Sequence, residues 1–479
     1  MVLPRSLAVL LFAASGLVVP LSAWEAAPRT PFSWWRFGAA YEPVSQRVYF
    51  LGGRGAGDAT DATVWSFDPL SEHFSATGVH LAVPVSNHQL AVLDDGSGPG
   101  IYIFGERDAA GEPVMEVQVY RPQSQSIEIL SEDPFPGRVR FGELPLGKAV
   151  AVVDNRAYVI GGFSPLARDA STATWIFDPA AAPGARWSQG PPLSVARAYV
   201  VTAVLDGKLY ALGGDRVDRE LGILLPTAIT ERLDPLDLEA GWSDAAVADL
   251  PQGCDESVAF GFDSDSSSCG YAGQIVIAGC GRWHVEDRRV WVYERAADRW
   301  QENPLALEQP RRNHAGARLP QIAGAPLDTP ALLVFGGRQD DDNHLLDLTE
   351  RLPLGRCDAI GLALAANGAS FAPEQRLTLR LQTEGPGDRR ADVYAALLLP
   401  GGELYGFPPE GGLAAGLQPP LIADQAIGAD ELLVLDAVLP PGLPAGGYTA
   451  AAVAVEPGAD PLDSTGWLHF ATAEFEVTE

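Results

Sequence analysis

The residues of this 479-residue chain that could do chemistry are four cysteines, seven histidines and a few acidic clusters, and their spacing limits what each can do. Cys254 precedes an apolar run at 258–262 and Cys280 follows another at 274–278. A hairpin between those runs turns about position 268 and brings the two cysteines face to face, so a Cys254–Cys280 disulfide is expected. Cys269 falls at the tip of that hairpin and Cys357 lies far downstream; a bridge between them has no support from spacing. Zinc ligation is the competing use of cysteines, but no Cys-x-x-Cys pair or neighbouring histidine frame is present, so neither a metal nor another cofactor is expected. The sharpest acidic cluster is QDDDNH at 339–344, with a weaker Asp263 and Asp265 pair. Oxygen-rich loops can hold calcium, but the spacing of an EF-hand loop is missing and a solvated turn accounts for both. No phosphate-cradling glycine loop and no serine nucleophile elbow is found.

The elements that position these residues are short. RVYFLGG at 47–53 is an apolar run that stops on two glycines, and related endings follow at AYVIGG (157–162), KLYALGG (208–214) and LLVFGG (332–337). Two degraded copies, IYIFGE (101–106) and IVIAGC (275–280), put Glu106 and Cys280 in the second glycine position. The first glycines fall at 52, 105, 161, 213, 279 and 336. Recurrence near every fifty residues, with acid-proline turns after WSFDP (65–69) and WIFDP (175–179) and with Trp187, Trp242 and Trp300 further on, resembles the kelch-repeat β-propellers. The resemblance covers about residues 24–354 and implies six four-stranded blades. Glycine is needed where the second strand of a blade turns sharply beside neighbouring backbone, and the tryptophans fill the wider space between outer strands. The last blade lacks its own outer strand. Trp24 lies twelve residues before Arg36, much as Trp187 lies ten before Arg197 and Trp300 twelve before Arg312, so residues 24–27 are expected to complete that blade. Closing the circuit in this way removes exposed strand edges.

In such a propeller the residues that begin each innermost strand line the axial opening. Here they are Arg36, Asn87 with His88, Lys148, Arg197, Asp255 with Glu256, and Arg312 with His314. Resemblance to the galactose-oxidase branch implies a copper site with an adjacent tyrosine–histidine pair, which this sequence lacks. Resemblance to periplasmic sialic-acid mutarotases implies an axial pocket for an acidic sugar, with Glu256 as general acid or base positioned by Arg197 or Arg312. The same arginines also suit plain packing against a neighbouring blade.

From about residue 355 the repeat gives way to alternating strands near 375–382, 392–399, 431–438, 448–455 and 467–477, separated by proline–glycine turns. This pattern suits an antiparallel immunoglobulin-like β-sandwich. At the other end, a basic start, an apolar core over 6–19 and small residues up to Ala23 read as a signal peptide over 1–23. The mature chain is therefore expected to be exported, periplasmic or extracellular, without stable membrane insertion. The net charge of −29 repels nucleic acid. The expected fold is all-β: a six-bladed kelch β-propeller over 24–354 followed by an immunoglobulin-like β-sandwich over 355–479. The expected function is recognition of a protein or glycan through the axial residues Arg36, His88, Lys148, Arg197, Glu256, Arg312 and His314. A carbohydrate isomerase or lyase in the same pocket, using Glu256, Arg197 and Arg312, is the alternative.

Overall fold

The computed structural model describes residues 24–478 except 140–141, 165, 167, 219, 246, 267–270, 283–284, 321, 323–329, 340–343, 355–359, 385–388, 429 and 465–466. The expected signal peptide, Cys269, Cys357 and most of the 339–344 acidic loop lie outside the described residues. The chain divides into two units, one within Pro20–Gly355 and one within Arg356–Glu479.

In the first unit, six short antiparallel sheets follow one another among the described residues. Each begins with a hairpin between an inner strand and a glycine-ended second strand. The inner strands are Gly38–Glu42, Gln89–Asp94, Ala149–Val153, Val201–Leu205, Val258–Phe262 and Ala315–Leu319. Sheets one, two, three and five carry a fourth strand of their own: His73–His80, Ser126–Ile129, Trp187–Gln189 and Arg299–Asn303. Sheet four has three strands, with one further bridge between Arg232 and Ser243. In sheet six the outermost strand is Glu25–Ala27, paired with Thr349–Pro353 in the register Glu25 to Arg351 and Ala27 to Thr349. Arg351 reinforces this join by binding Glu25 at 2.6 Å and also Glu72 of sheet one.

Apolar side chains alternate along the strands and pack between consecutive sheets, which yields six cores and no single centre. Phe104, Val119 and Phe177 join sheets two and three, and Tyr210, Ile277 and Trp291 join four and five. Phe50 and Phe67 pack on Leu333 and Phe335, joining sheet six back to sheet one. Their Phe50–Phe335 pair is edge-on at 4.8 Å. The circuit of packed sheets is thus closed.

The paired glycines have a specific task in that circuit. At Gly161 a Cβ would lie 2.3 Å from the Arg197 carbonyl oxygen, and its φ is 67°. The next residue, Gly162, donates its N–H to that same oxygen at 2.9 Å. The first glycine lets the following sheet's backbone approach, and the second bonds to it. Gly214 to Cys254 at 2.7 Å repeats this between sheets four and five.

The second unit has a three-stranded sheet (Gly361–Ala366, Arg376–Glu384, Asp430–Val438) and a seven-stranded one built on Arg390–Leu398, Gly446–Val455 and Trp467–Val477. Leu377, Leu379 and Leu381 from the first share a core with Val393, Ala450 and Phe475 from the second. The pairing is not wholly antiparallel: Ser370–Phe371 runs parallel to the end of Trp467–Val477. A two-residue strand of this kind leaves no alternation to read in the sequence.

Candidate functional site

Two residues before each inner strand, the backbone enters the left-handed region: Arg36 (φ 55°), Asn87 (60°), Gly147 (67°), Tyr199 (52°), Glu256 (45°) and Asn313 (53°). Only glycine and, more weakly, asparagine accept this conformation readily; for arginine, tyrosine and glutamate it costs about 1–2 kcal/mol each. The strain is held by hydrogen bonds that run from one sheet to the next. The Asn87 N–H donates to the Arg36 carbonyl and the Arg36 N–H to that of Asn313, both at 3.0 Å. Asn313 donates to Glu256 at 2.9 Å, and Tyr199 to Gly147 at 2.7 Å.

These six residues surround one cavity of about 90 Å³, with His88, Lys148 and His314 also on its wall. Glu256 is its anionic centre. The buried Arg312 donates to Glu256 Oε2 at 2.9 Å, and Arg36 Nη2 lies 3.6 Å from Oε1. Arg36 Nε also donates to Asn313 Oδ1 at 3.3 Å. Arg36 packs over Trp35 at 4.4 Å, and Arg338 packs over the same ring at 3.6 Å. A wider groove of about 650 Å³, lined by Trp35, Arg338, His344 and the 55–58 turn, opens beside this stack.

Burial governs protonation around the cavity. His88 is pushed down to about 4 by burial. His314 is pushed to about 3 by burial and by Arg311, while its Nε2 meets the Ala278 carbonyl at 2.9 Å. Both rings are neutral at physiological pH. Lys148 is lowered by burial, opposed by Glu106, and donates to the Pro145 carbonyl at 2.9 Å. Glu106 is raised by burial, opposed first by Lys148. The hydrogen bond from Gly214 to Cys254 brings Asp215 beside Asp255, two carboxylates at most 3% exposed. Burial lifts Asp215 to about 6, and burial and then the Asp215 charge lift Asp255 well above its ordinary value.

Of the residues expected at the axis, Arg36, His88, Lys148, Glu256 and His314 line the cavity, and Arg312 stands directly behind Glu256. Arg197 does not. It lies two residues before the axial position, which belongs to Tyr199, and is fully buried against Glu231 while donating to the Gly213 and Ile229 carbonyls at 2.7 and 2.6 Å. Arg311 repeats this with Glu350, Gly336 and Leu348. The repeated TERL at 230–233 and 349–352 supplies the glutamate both times and was the sequence signal for this role. Tyr199 and Asn313 were not anticipated on the cavity wall, nor Asp215 as the partner of Asp255. Cys254 and Cys280 face each other with Cα atoms 5.2 Å apart and their sulfurs joined. Among the described residues, no group of three or more histidines, cysteines or carboxylates is placed to hold a metal, and no helix is long and apolar enough to cross a membrane.

Residues 145–194, which span sheet three, match the Kelch motif family. Over 155 residues the chain is 28% identical to alpha-scruin of Limulus polyphemus, covering 31% of this chain and 15% of that protein. It is 40% identical over 89 residues to an F-box/kelch-repeat protein of Arabidopsis thaliana, covering 19% of this chain and 17% of that one. Beta-scruin of Limulus polyphemus is 24% identical over 174 residues, 35% of this chain and 17% of that protein. The chain thus spans less than a fifth of the length of each of these curated relatives. Two mutant structures of an apocarotenoid oxygenase from Synechocystis align at 10% identity and a TM-score of 0.32, covering 67% of this chain and 71% of theirs. A score that low carries no argument. The kelch sequence and the all-strand architecture together place the fold in the β-propeller class.

Proposed function

We propose that this chain is an exported recognition protein whose six sheets are the blades of a kelch propeller and whose axial end docks a protein or glycan partner. The observation that carries the reading is the ring of six left-handed residues around one opening, five of which bring a polar side chain to it. Kelch relatives favour a protein over a glycan as the partner. The C-terminal unit reads as an immunoglobulin-like sandwich, and the N-terminal leader with the joined Cys254 and Cys280 supports export to an oxidising compartment. The isomerase alternative has less support. Arg197 is engaged with Glu231 away from the cavity, and about 90 Å³ is well below the ~300 Å³ at which small-molecule sites begin.

The test uses the full secreted chain as bait, alongside Tyr199→Gly and Glu256→Gly, which remove axial side chains where glycine suits the backbone. Partner capture and glycan-array binding should be lost in both variants and kept in Arg156→Ala, on the second strand of sheet three. Capture that is indifferent to both axial variants overturns the reading. Export is checked separately by N-terminal sequencing of the secreted protein, which should begin at Trp24.

A further inference from the structure

Resting on that axial reading, we propose that the cavity is a receptor for a single carboxylate group, carried by a small free acid or by an acidic side chain of a partner. Three observations converge on this chemistry.

The first is a local reversal of charge. The chain holds 62 acidic residues against 33 basic ones. Around the cavity the two signs are equal in number: Arg36, Lys148 and Arg312, together with the Arg107 charge felt at Tyr199, stand against Glu256, Glu106, Asp215 and Asp255. Burial favours the neutral form of the last three and of Lys148 as well, which leaves Arg36, Arg312 and Arg107 against Glu256, the acid that faces two guanidinium groups. The immediate environment therefore attracts an anion, although the molecule as a whole repels one.

The second is donor chemistry. Asn313 accepts from Arg36 through Oδ1, which leaves its buried Nδ2 without a protein acceptor. A buried donor of this kind calls for an oxygen. Tyr199 is raised by burial and by Glu106, so its hydroxyl stays protonated and available to donate. With the Arg36 guanidinium, these form a set suited to the two oxygens of a carboxylate. The side chains of Arg36 and Tyr199 are also held in left-handed backbone where Gly147 shows that glycine is accepted. Such strain accompanies sites at which the side chain itself is needed.

The third is size. A cavity of about 90 Å³ takes several waters or an acetate-sized group.

The probes are sodium acetate, for a free acid, and the N-acetylated, C-amidated tripeptide Gly-Glu-Gly, for an acidic side chain. Sodium chloride at equal ionic strength and the matching Gly-Gln-Gly are their controls. Binding to the full chain is followed by calorimetry and by the shift in melting temperature. At least one carboxylate probe should bind while both controls do not. Arg36→Gly should weaken binding about tenfold or more and Asn313→Gly about fivefold; both leave glycine at a left-handed position and so preserve the backbone. Arg376→Gln, on the C-terminal unit, should change nothing. Acetate alone assigns the source to a small acid, and the peptide alone assigns it to a partner's side chain. The proposal is overturned if neither probe binds, if the glutamine peptide binds equally, or if Arg36→Gly and Asn313→Gly bind like the parent. Should that happen while Tyr199→Gly still abolishes partner capture, axial recognition stands and only its carboxylate chemistry fails.

Discussion

Replacing Asp255 with asparagine should raise the stability of the N-terminal unit at neutral pH and flatten its pH dependence. Asp215 and Asp255 are buried side by side, with Asp215 lifted to about 6 from an ordinary value of 3.8. For an acid whose folded-state value is raised, both states are protonated below about pH 4 and the group contributes nothing. Between about pH 4 and 6 the unfolded chain releases its proton first, so stability falls; above about 6 the loss is complete. A shift of about two units at ~1.4 kcal/mol per unit makes that loss about 3 kcal/mol from Asp215 alone. Asparagine keeps a donor facing Asp215 and removes the neighbouring acid. The desolvation of Asp215 remains, and what asparagine removes is the cost of ionising Asp255 itself, lifted by burial and by the Asp215 and Glu256 charges; at least about 1–2 kcal/mol should be recovered at pH 7.5 and little at pH 4.5. Ten of the eleven tryptophans precede residue 355, so urea unfolding followed by tryptophan fluorescence reports mainly on this unit. A variant less stable than the parent at pH 7.5, or one with the same slope between pH 4.5 and 7.5, refutes the carboxylate pairing.

Three further outcomes follow from the same packing. Deleting residues 24–27 removes the outermost strand of sheet six together with Trp24, which is 5% exposed; the loss should be at least about 3–5 kcal/mol, and an unchanged melting temperature would sink the closure argument. Arg197→Met leaves Glu231 buried without its cation and should cost about 3–5 kcal/mol in urea unfolding without changing the affinity of an axial ligand in the folded fraction; a specific loss of affinity would return Arg197 to the site. The double change Cys254→Ser and Cys280→Ser opens a bridge between residues 26 apart and should cost about 3 kcal/mol; indifference of the parent protein to reducing agent would show that the bridge contributes no stability.

Much of the architecture is written in local patterns. The glycine pairs mark strand ends because they allow backbone approach at 2.3 Å from a would-be Cβ, a requirement with one chemical answer. The spacing of Trp24 from Arg36 pointed to the outer edge of the last sheet, where Glu25–Ala27 is found. The hairpin around position 268 placed Cys254 opposite Cys280 because antiparallel register is simple counting.

The axial site was legible only in part. Its six positions hold arginine, asparagine, glycine, tyrosine, glutamate and asparagine, so no residue type announces them; what they share is a left-handed turn held by hydrogen bonds between sheets. Arg197 and Arg36 look alike as residues preceding an inner strand. Glu231 binds Arg197 inside sheet four, whereas Arg36 meets Glu256 from four sheets further along the chain. Asp215 and Asp255 are forty residues apart and become one titrating pair only where sheet four meets sheet five. Periodicity belongs to one segment at a time and can be read there. Which charges confront one another at the axis depends on how six segments meet, and only the closed circuit decides it.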